Sequence, residues 1–227
     1  QPITIPVHST PSLTPTNSNH NNSNIINNQQ QHQSDHSKVI DVIPKQNKKD
    51  LKENIYTNTA EIPDNGIDDD HNGFVDDVHG WNFEGKNKQA MDDNRHGTHC
   101  SGTIGAMGNN SLGTAGVKWN VSILPIKFLS ASGSGSLADA VEAIKYATKM
   151  NVKVMSNSWG GGGYSRTMFD AIKEAKDKGI LFVAAAGNES NNNDTSPSYP
   201  ASYQLDNVIS VAASDNRDAK ASFSNYG

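Results

Sequence analysis

The sequence predicts an α/β fold with three layers: a mostly parallel central sheet and helices on both of its faces. Three observations predict it. From residue 39 onward, short apolar runs alternate with segments of helical period. One run, Ile180–Ala186, is apolar throughout, the mark of a strand buried on both faces. The runs stand far enough apart for one helix between neighbours, as right-handed crossovers between parallel strands require.

The elements follow in chain order. Residues 1–37 hold one acidic group, Asp35, no Lys or Arg, and a long tract of Asn, Gln, Ser, His and Thr. Such a tract buries too little apolar surface to offset its ordering entropy, so a disordered tail is expected, with one domain over 38–227. Val39–Ile43 reads as a short strand stopped by Pro44. Residues 54–94 are loop-rich and acidic, and Val121–Phe128 reads as a strand despite Pro125. Ser136–Met150 carries Leu137, Val141, Ile144 and Ala147 on one helical face, with Ser136 and Asp139 spaced as a capping box. Val152–Ser158 alternates as a strand. Arg166–Lys178 turns Phe169, Ile172 and Ala175 inward and stops at Gly179. Val208–Ala213 is the last strand.

Composition removes several classes. Net charge is −5 with no dominant basic block, which argues against nucleic acid as the main partner. No run approaches the roughly 18 apolar residues of a transmembrane helix. A single cysteine, Cys100, excludes an internal disulfide and a multi-cysteine zinc site. The chain starts at Gln1 without a charged-then-apolar leader, so a signal peptide is expected to be absent or removed.

In a parallel sheet, sites form beyond the carboxyl ends of the strands. The strongest chemical signal is His96-Gly97-Thr98-His99-Cys100-Ser101-Gly102-Thr103, where small residues let a substrate approach a histidine closely. Taken alone, two histidines three apart fit core residues or metal ligands as well as a general base. Ile180–Ala186 runs into Gly187-Asn188-Glu189, placing an amide donor at a strand tip, as a tetrahedral oxyanion requires. Ser156-Asn157-Ser158-Trp159-Gly160-Gly161 and Gly133-Ser134-Gly135-Ser136 offer bare backbone that can pair with an extended peptide.

These four pieces, in this order, resemble the subtilisin-like serine proteases over roughly residues 39–227. The resemblance implies His96 as general base and Asn188 as oxyanion donor. It implies Ser158, Trp159 and Gly160 as one cleft wall and Gly133, Ser134 and Gly135 as the facing edge. Ala185, Ala186 and Gly187 would line a specificity pocket with Glu189 near its base. Asp41 takes the role of orienting acid by its place after the first strand, nine residues before Asp50-Leu51, although Val42-Ile43-Pro44 replaces the family's Gly turn. A solvated acid is the competing reading of Asp41. The family's Gly-Thr-Ser-Met-Ala nucleophile motif does not occur in these residues, so the chain is expected to be a fragment that does not hydrolyse peptides alone. A protein or peptide substrate, a propeptide and secretory or extracellular residence come with the resemblance. A non-catalytic, calcium-dependent binding relative is the rival class. A zinc enzyme using His96 and His99 lacks a visible third ligand.

Calcium is the expected cofactor. Residues 64–77 hold six acidic groups in fourteen residues. Asp68, Asp70, Asn72 and Asp76, with Gly73 permitting a turn, suit a hard cation with oxygen ligands, and a solvated acidic loop is the alternative. The resemblance implies a second calcium loop at 108–114. There Asn110 would offer a side-chain oxygen, Gly108, Leu112 and Thr114 carbonyls, and Asp50 a carboxylate.

Overall fold

The computed structural model describes residues 50–227 in full and, before them, only the backbone of three short elements. These are β1 (Lys38–Ile40), β2 (Ile43–Pro44) and the start of α1 (Lys48–Leu51). The tail over 1–37 and Asp41 lie outside the described residues.

The central sheet is parallel throughout. β1, β5 (Ser122–Leu124), β7 (Val154–Asn157), β8 (Leu181–Ala185) and β9 (Val208–Val211) pair in the order β5-β1-β7-β8-β9. Two parallel ribbons flank it, β2 with β4 (Met91–Asp92) and β3 (Trp81–Asn82) with β6 (Ile126–Lys127). The expected single strand over 121–128 is two strands in different sheets. Pro125 divides them because it has no N–H for a ladder, while its carbonyl accepts from the Trp81 N–H.

Helices cover both faces unequally. α3 (Leu137–Lys149) and α4 (Arg166–Asp177) bury Val141, Ile144, Ala147, Met168, Ile172 and Ala175 in one core with Leu124, Met155, Phe182 and Ala184. Alternate strand residues face opposite sides, so Ile123 joins a second, smaller cluster with Leu51 and Val121. α2 (His96–Gly105) packs there, its Gly105 against the Val121 and Ile123 side chains. The Ser136 cap forms as the spacing predicts: its hydroxyl accepts from the Asp139 N–H and donates to the Asp139 carboxylate. Gly179 follows α4 with φ +72°. Two expectations of burial are not met. Leu137 is exposed in the first turn of α3, and Ile180–Ala186 is not covered on both faces. Phe182 and Ala184 lie under α3 and α4, but α2 sits toward β2 and β4, leaving Leu181 and Ala185 exposed. Among the described residues no helix is long and apolar enough to cross a membrane.

Candidate active site

His96 is the first residue of α2, and the cap of that helix comes from outside it. Arg95 sits in the left-handed region with φ 89° and gives no side-chain cap. Asp92 acts instead. One of its oxygens accepts from the Thr98 N–H (3.0 Å) and hydroxyl (2.6 Å). The other accepts from the N–H groups of Asn94 (2.8 Å) and Arg95 (2.9 Å). Partial burial works to raise the Asp92 carboxyl, but the Thr98 hydroxyl and these N–H groups together hold it below its ordinary value. The His96 imidazole is thereby presented at the surface from a fixed helix end. One turn along, the Cys100 sulfur lies 3.9 Å from its Nε2.

A cleft of about 730 Å³ opens beside His96. Its lining includes Gly133, Ser134, Gly135, Ser158, Trp159 and Gly160. The Trp159 ring stands edge-on to Phe128 at 5.0 Å, and its N–H donates to Asn157, which ties back to the carbonyl of Val183. Gly135 faces Leu129 as an antiparallel bridge, so close that a Cβ would stand 2.6 Å from the Phe128 carbonyl oxygen. Asn94 donates to the Ala131 carbonyl (2.8 Å) and buried Lys127 pairs with Asp93 (3.0 Å), clasping the histidine loop to this edge.

Asn188 and its neighbours leave the same end of the sheet. Asn157 at the end of β7 is in register with Ala184 of β8, so Ser158-Trp159 and Ala185–Asn188 emerge from adjacent parallel strands. Asn188 is exposed, and residues 185–189 are not part of the lining of the His96 cleft. The Glu189 carboxylate accepts from the Asn188 N–H (2.9 Å) and from the Asn225 amide (2.8 Å). It is therefore engaged inside its own loop. Asn225 is absent from the residues singled out by motif, since a lone Asn in a polar stretch carries no spacing signal.

The acidic segment folds into two arrangements. Asp76, one of the residues expected to hold a cation, is held low by its ion pair with Lys88 (3.0 Å) and by the N–H groups of Gly66 and Asn65. Asp68 accepts from the N–H groups of Asn72 and Gly73. Burial pulls its carboxyl upward, yet these N–H groups prevail and hold it low. Asp70 converges instead with Glu61 and Asp77, their ligand oxygens within 4.8 Å of one another. Glu61 and Asp77 are buried. Asn58 and Asn72 bridge Asp70 to Asp77, and the Tyr146 hydroxyl donates to Asp77 (2.6 Å). Burial beside the Asp77 charge pushes the Tyr146 hydroxyl far up. Three carboxylates, two of them buried, form an all-oxygen set that fits a hard cation. The sequence pattern missed Glu61 and Asp77 because Glu61 precedes the acidic run and the two- and four-residue steps favoured Asp76. In the 108–114 loop, Asp50 accepts from the Asn110 amide (2.8 Å) and the Thr114 N–H (3.2 Å), so the two distant segments do meet. The Asn110 oxygen itself accepts from the Leu112 N–H, and the Gly108 backbone lies under the Trp119 ring.

Known proteins share this architecture and much of the sequence. Thermitase of Thermoactinomyces vulgaris is 41% identical over 167 residues, 73% of this chain and 58% of that protein. Subtilisin-like protease 1 of Plasmodium falciparum (isolate 3D7) is 38% identical over 188 residues, 77% of this chain and 27% of that protein. The chain thus spans little more than half of one relative and about a quarter of the other. The crystal structure of a psychrophilic subtilisin-like protease from Pseudoalteromonas sp. AS-11 superposes with a TM-score of 0.61 at 33% identity, over 83% of this chain and 38% of that one. The sequence model of the subtilase family matches residues 18–227. By that match and these identities, the chain belongs to the subtilase family of subtilisin-like serine proteases.

Proposed function

We propose that this chain supplies the base, the oxyanion donor and the substrate cleft of a serine endopeptidase. His96 takes the proton of a seryl hydroxyl that attacks a peptide carbonyl, and later returns it to the leaving amine. Asp41, following β1, orients the imidazole. The Asn188 carboxamide donates to the oxygen that gains charge in the tetrahedral intermediate. The substrate lies extended, its main chain pairing with Gly133–Gly135 on one edge and Ser158–Gly160 on the other. Ala185–Gly187 and Glu189 belong to the pocket for the residue before the cut. The single observation that carries this reading is the shared cleft: His96 and both glycine-rich edges line one cavity.

Residues 38–227 form the peptidase domain behind a low-complexity tail over 1–37. No Gly-Thr-Ser-Met-Ala stretch occurs within residues 1–227, and the hydrolytic activity is proposed for the full-length protein. Calcium is the resident ion. Glu61, Asp70 and Asp77 hold it at one place, with Asp68, Asn72 and Asp76 shaping the loop around it. Asp50, Asn110 and the carbonyls of Gly108, Leu112 and Thr114 hold it at another. Extracellular or secretory residence is consistent with the cell wall-associated protease of Bacillus subtilis, 38% identical over 169 residues, and a propeptide is the further partner.

The test is covalent labelling of the full-length protein with a peptidyl phosphonate, which reacts only with an activated serine. Stoichiometric labelling that disappears in His96→Ala supports the proposal. Equal labelling of the parent and the variant overturns it.

A further inference from the structure

Asn225 is fully buried, and every polar atom of its side chain is used. Its oxygen accepts from the N–H groups of Glu189 (2.8 Å) and Asn191 (3.1 Å). Its amide nitrogen donates to the Ala186 carbonyl (3.1 Å), the Glu189 carboxylate (2.8 Å) and the Asn193 oxygen (3.2 Å). Its backbone N–H donates to the Gly187 carbonyl (3.0 Å). These contacts surround residues 186–191, and Asn188 stands in the middle of them. The Glu189 oxygen that meets Asn225 also accepts the N–H of Asn188, so one carboxylate couples the buried amide to the backbone of the exposed one.

The fit leaves no slack. Gly187 has φ +119°, and a Cβ there would stand 2.2 Å from the Asn225 amide nitrogen. The segment around Asn225 is itself tied down on both sides: Ser190 donates to the Phe223 carbonyl, Tyr226 to the Asn191 carbonyl, and Asn193 to the Tyr226 carbonyl. A strand end this densely hydrogen-bonded from beneath has one backbone course open to it.

We infer that Asn225 is a positioning residue that fixes where the Asn188 carboxamide stands, acting through Glu189 and the Gly187 turn. The inference rests on the reading of Asn188 as the oxyanion donor. A hydrogen-bond donor to a developing charge works only when held in place before the reaction, and displacement by about 1 Å costs on the order of 100-fold. Asn225 touches no substrate. Its effect belongs in kcat.

The experiment uses the full-length protein. Asn225→Ala should lower kcat about 10- to 100-fold with KM changed less than about threefold, and weaken binding of a peptide aldehyde, whose adduct bears the oxyanion, by a similar factor. Asn188→Ala should lower kcat about 100- to 1000-fold. Adding Asn225→Ala to Asn188→Ala should cost less than about threefold more, because both remove one interaction. Losses that multiply, or an Asn225→Ala that raises KM alone, overturn the inference and leave the oxyanion role of Asn188 standing. An unchanged kcat in Asn188→Ala overturns that role and the inference with it. If Asn225→Ala does not fold, Asn225→Asp replaces it. That variant keeps the acceptor but sets a second carboxylate against Glu189, so the ratio of its kcat to the parent's should fall as pH rises and like charges face each other there. A pH profile parallel to the parent's overturns the inference.

Discussion

Asp92 shows how one carboxylate can hold an imidazole it does not itself bond. It caps α2 from four residues upstream of His96, satisfying the N–H of Thr98 while fixing the turn through Asn94 and Arg95. Loss of such a cap costs about 1 kcal/mol, so Asp92→Ala should lower the melting temperature of the full-length protein by roughly 2–4 °C. The same change should lower kcat, because the first turn of α2 carries the imidazole. The pH dependence has a definite sign. The folded-state pKa of Asp92 lies below its ordinary 3.8. Its contribution is therefore fully present above that value and is lost as pH falls through the folded pKa. The stability difference between parent and variant should be constant near neutrality and shrink below about pH 4, as thermal melts at successive pH values would measure. A difference that widens in acid would show that Asp92 does not act as a charged cap.

At the scale of elements, the edge at 133–135 closes one side of the cleft beside His96. Gly135 lets this edge close on Leu129, and the obstacle to any larger residue is the Phe128 backbone carbonyl, which cannot swing aside as a side chain can. Gly135→Ala should push the edge outward and raise KM for peptide substrates about tenfold or more, with a smaller change in kcat. Steady-state kinetics on a peptide series would decide it. The elements themselves were largely legible: α3 and α4 begin and end within a residue or two of the positions their apolar period and caps predict. Strand ends were less so. Val121–Phe128 looks continuous as a string, and only the neighbours of Pro125 reveal that its two halves pair with different strands. Ile180–Ala186 looks buried on both faces, but an apolar string does not record which face has a helix against it. The cleft residues were readable because glycines and a histidine at a helix start carry position in their chemistry. Asn225, Glu61 and Asp77 were not, because a buried polar side chain is specified by distant partners such as Tyr146, not by its neighbours in sequence.

For the whole molecule, the two oxygen-rich loops tie segments that the sheet does not hold. The first fastens residues 58–77 to α3 through Asp77 and Tyr146, and the Lys149 ammonium donates to the Asn72 carbonyl (2.5 Å). The second fastens Asp50 to the 108–114 loop, at the far end of α2 from His96. A cation bound to the folded state and not to the unfolded chain stabilises by about 2.7 kcal/mol at a hundredfold excess over its Kd. With two such sites, chelation should lower the melting temperature of the full-length protein by roughly 10–20 °C, and added calcium should restore it. The loops can be told apart. Glu61→Gln removes a buried carboxylate that has no cationic partner among its hydrogen bonds, so it should abolish only the part of the shift belonging to the first loop. Asp50→Asn should abolish only the part belonging to the second. Asp77 keeps its Asn58, Asn72 and Tyr146 donors in either variant, so the core around α3 should stay folded and the melt cooperative. A melting temperature indifferent to chelator and to calcium in the parent would remove the ion from this account. The carboxylates would then be a hydrogen-bonded brace, with their neutral donors alone carrying the load.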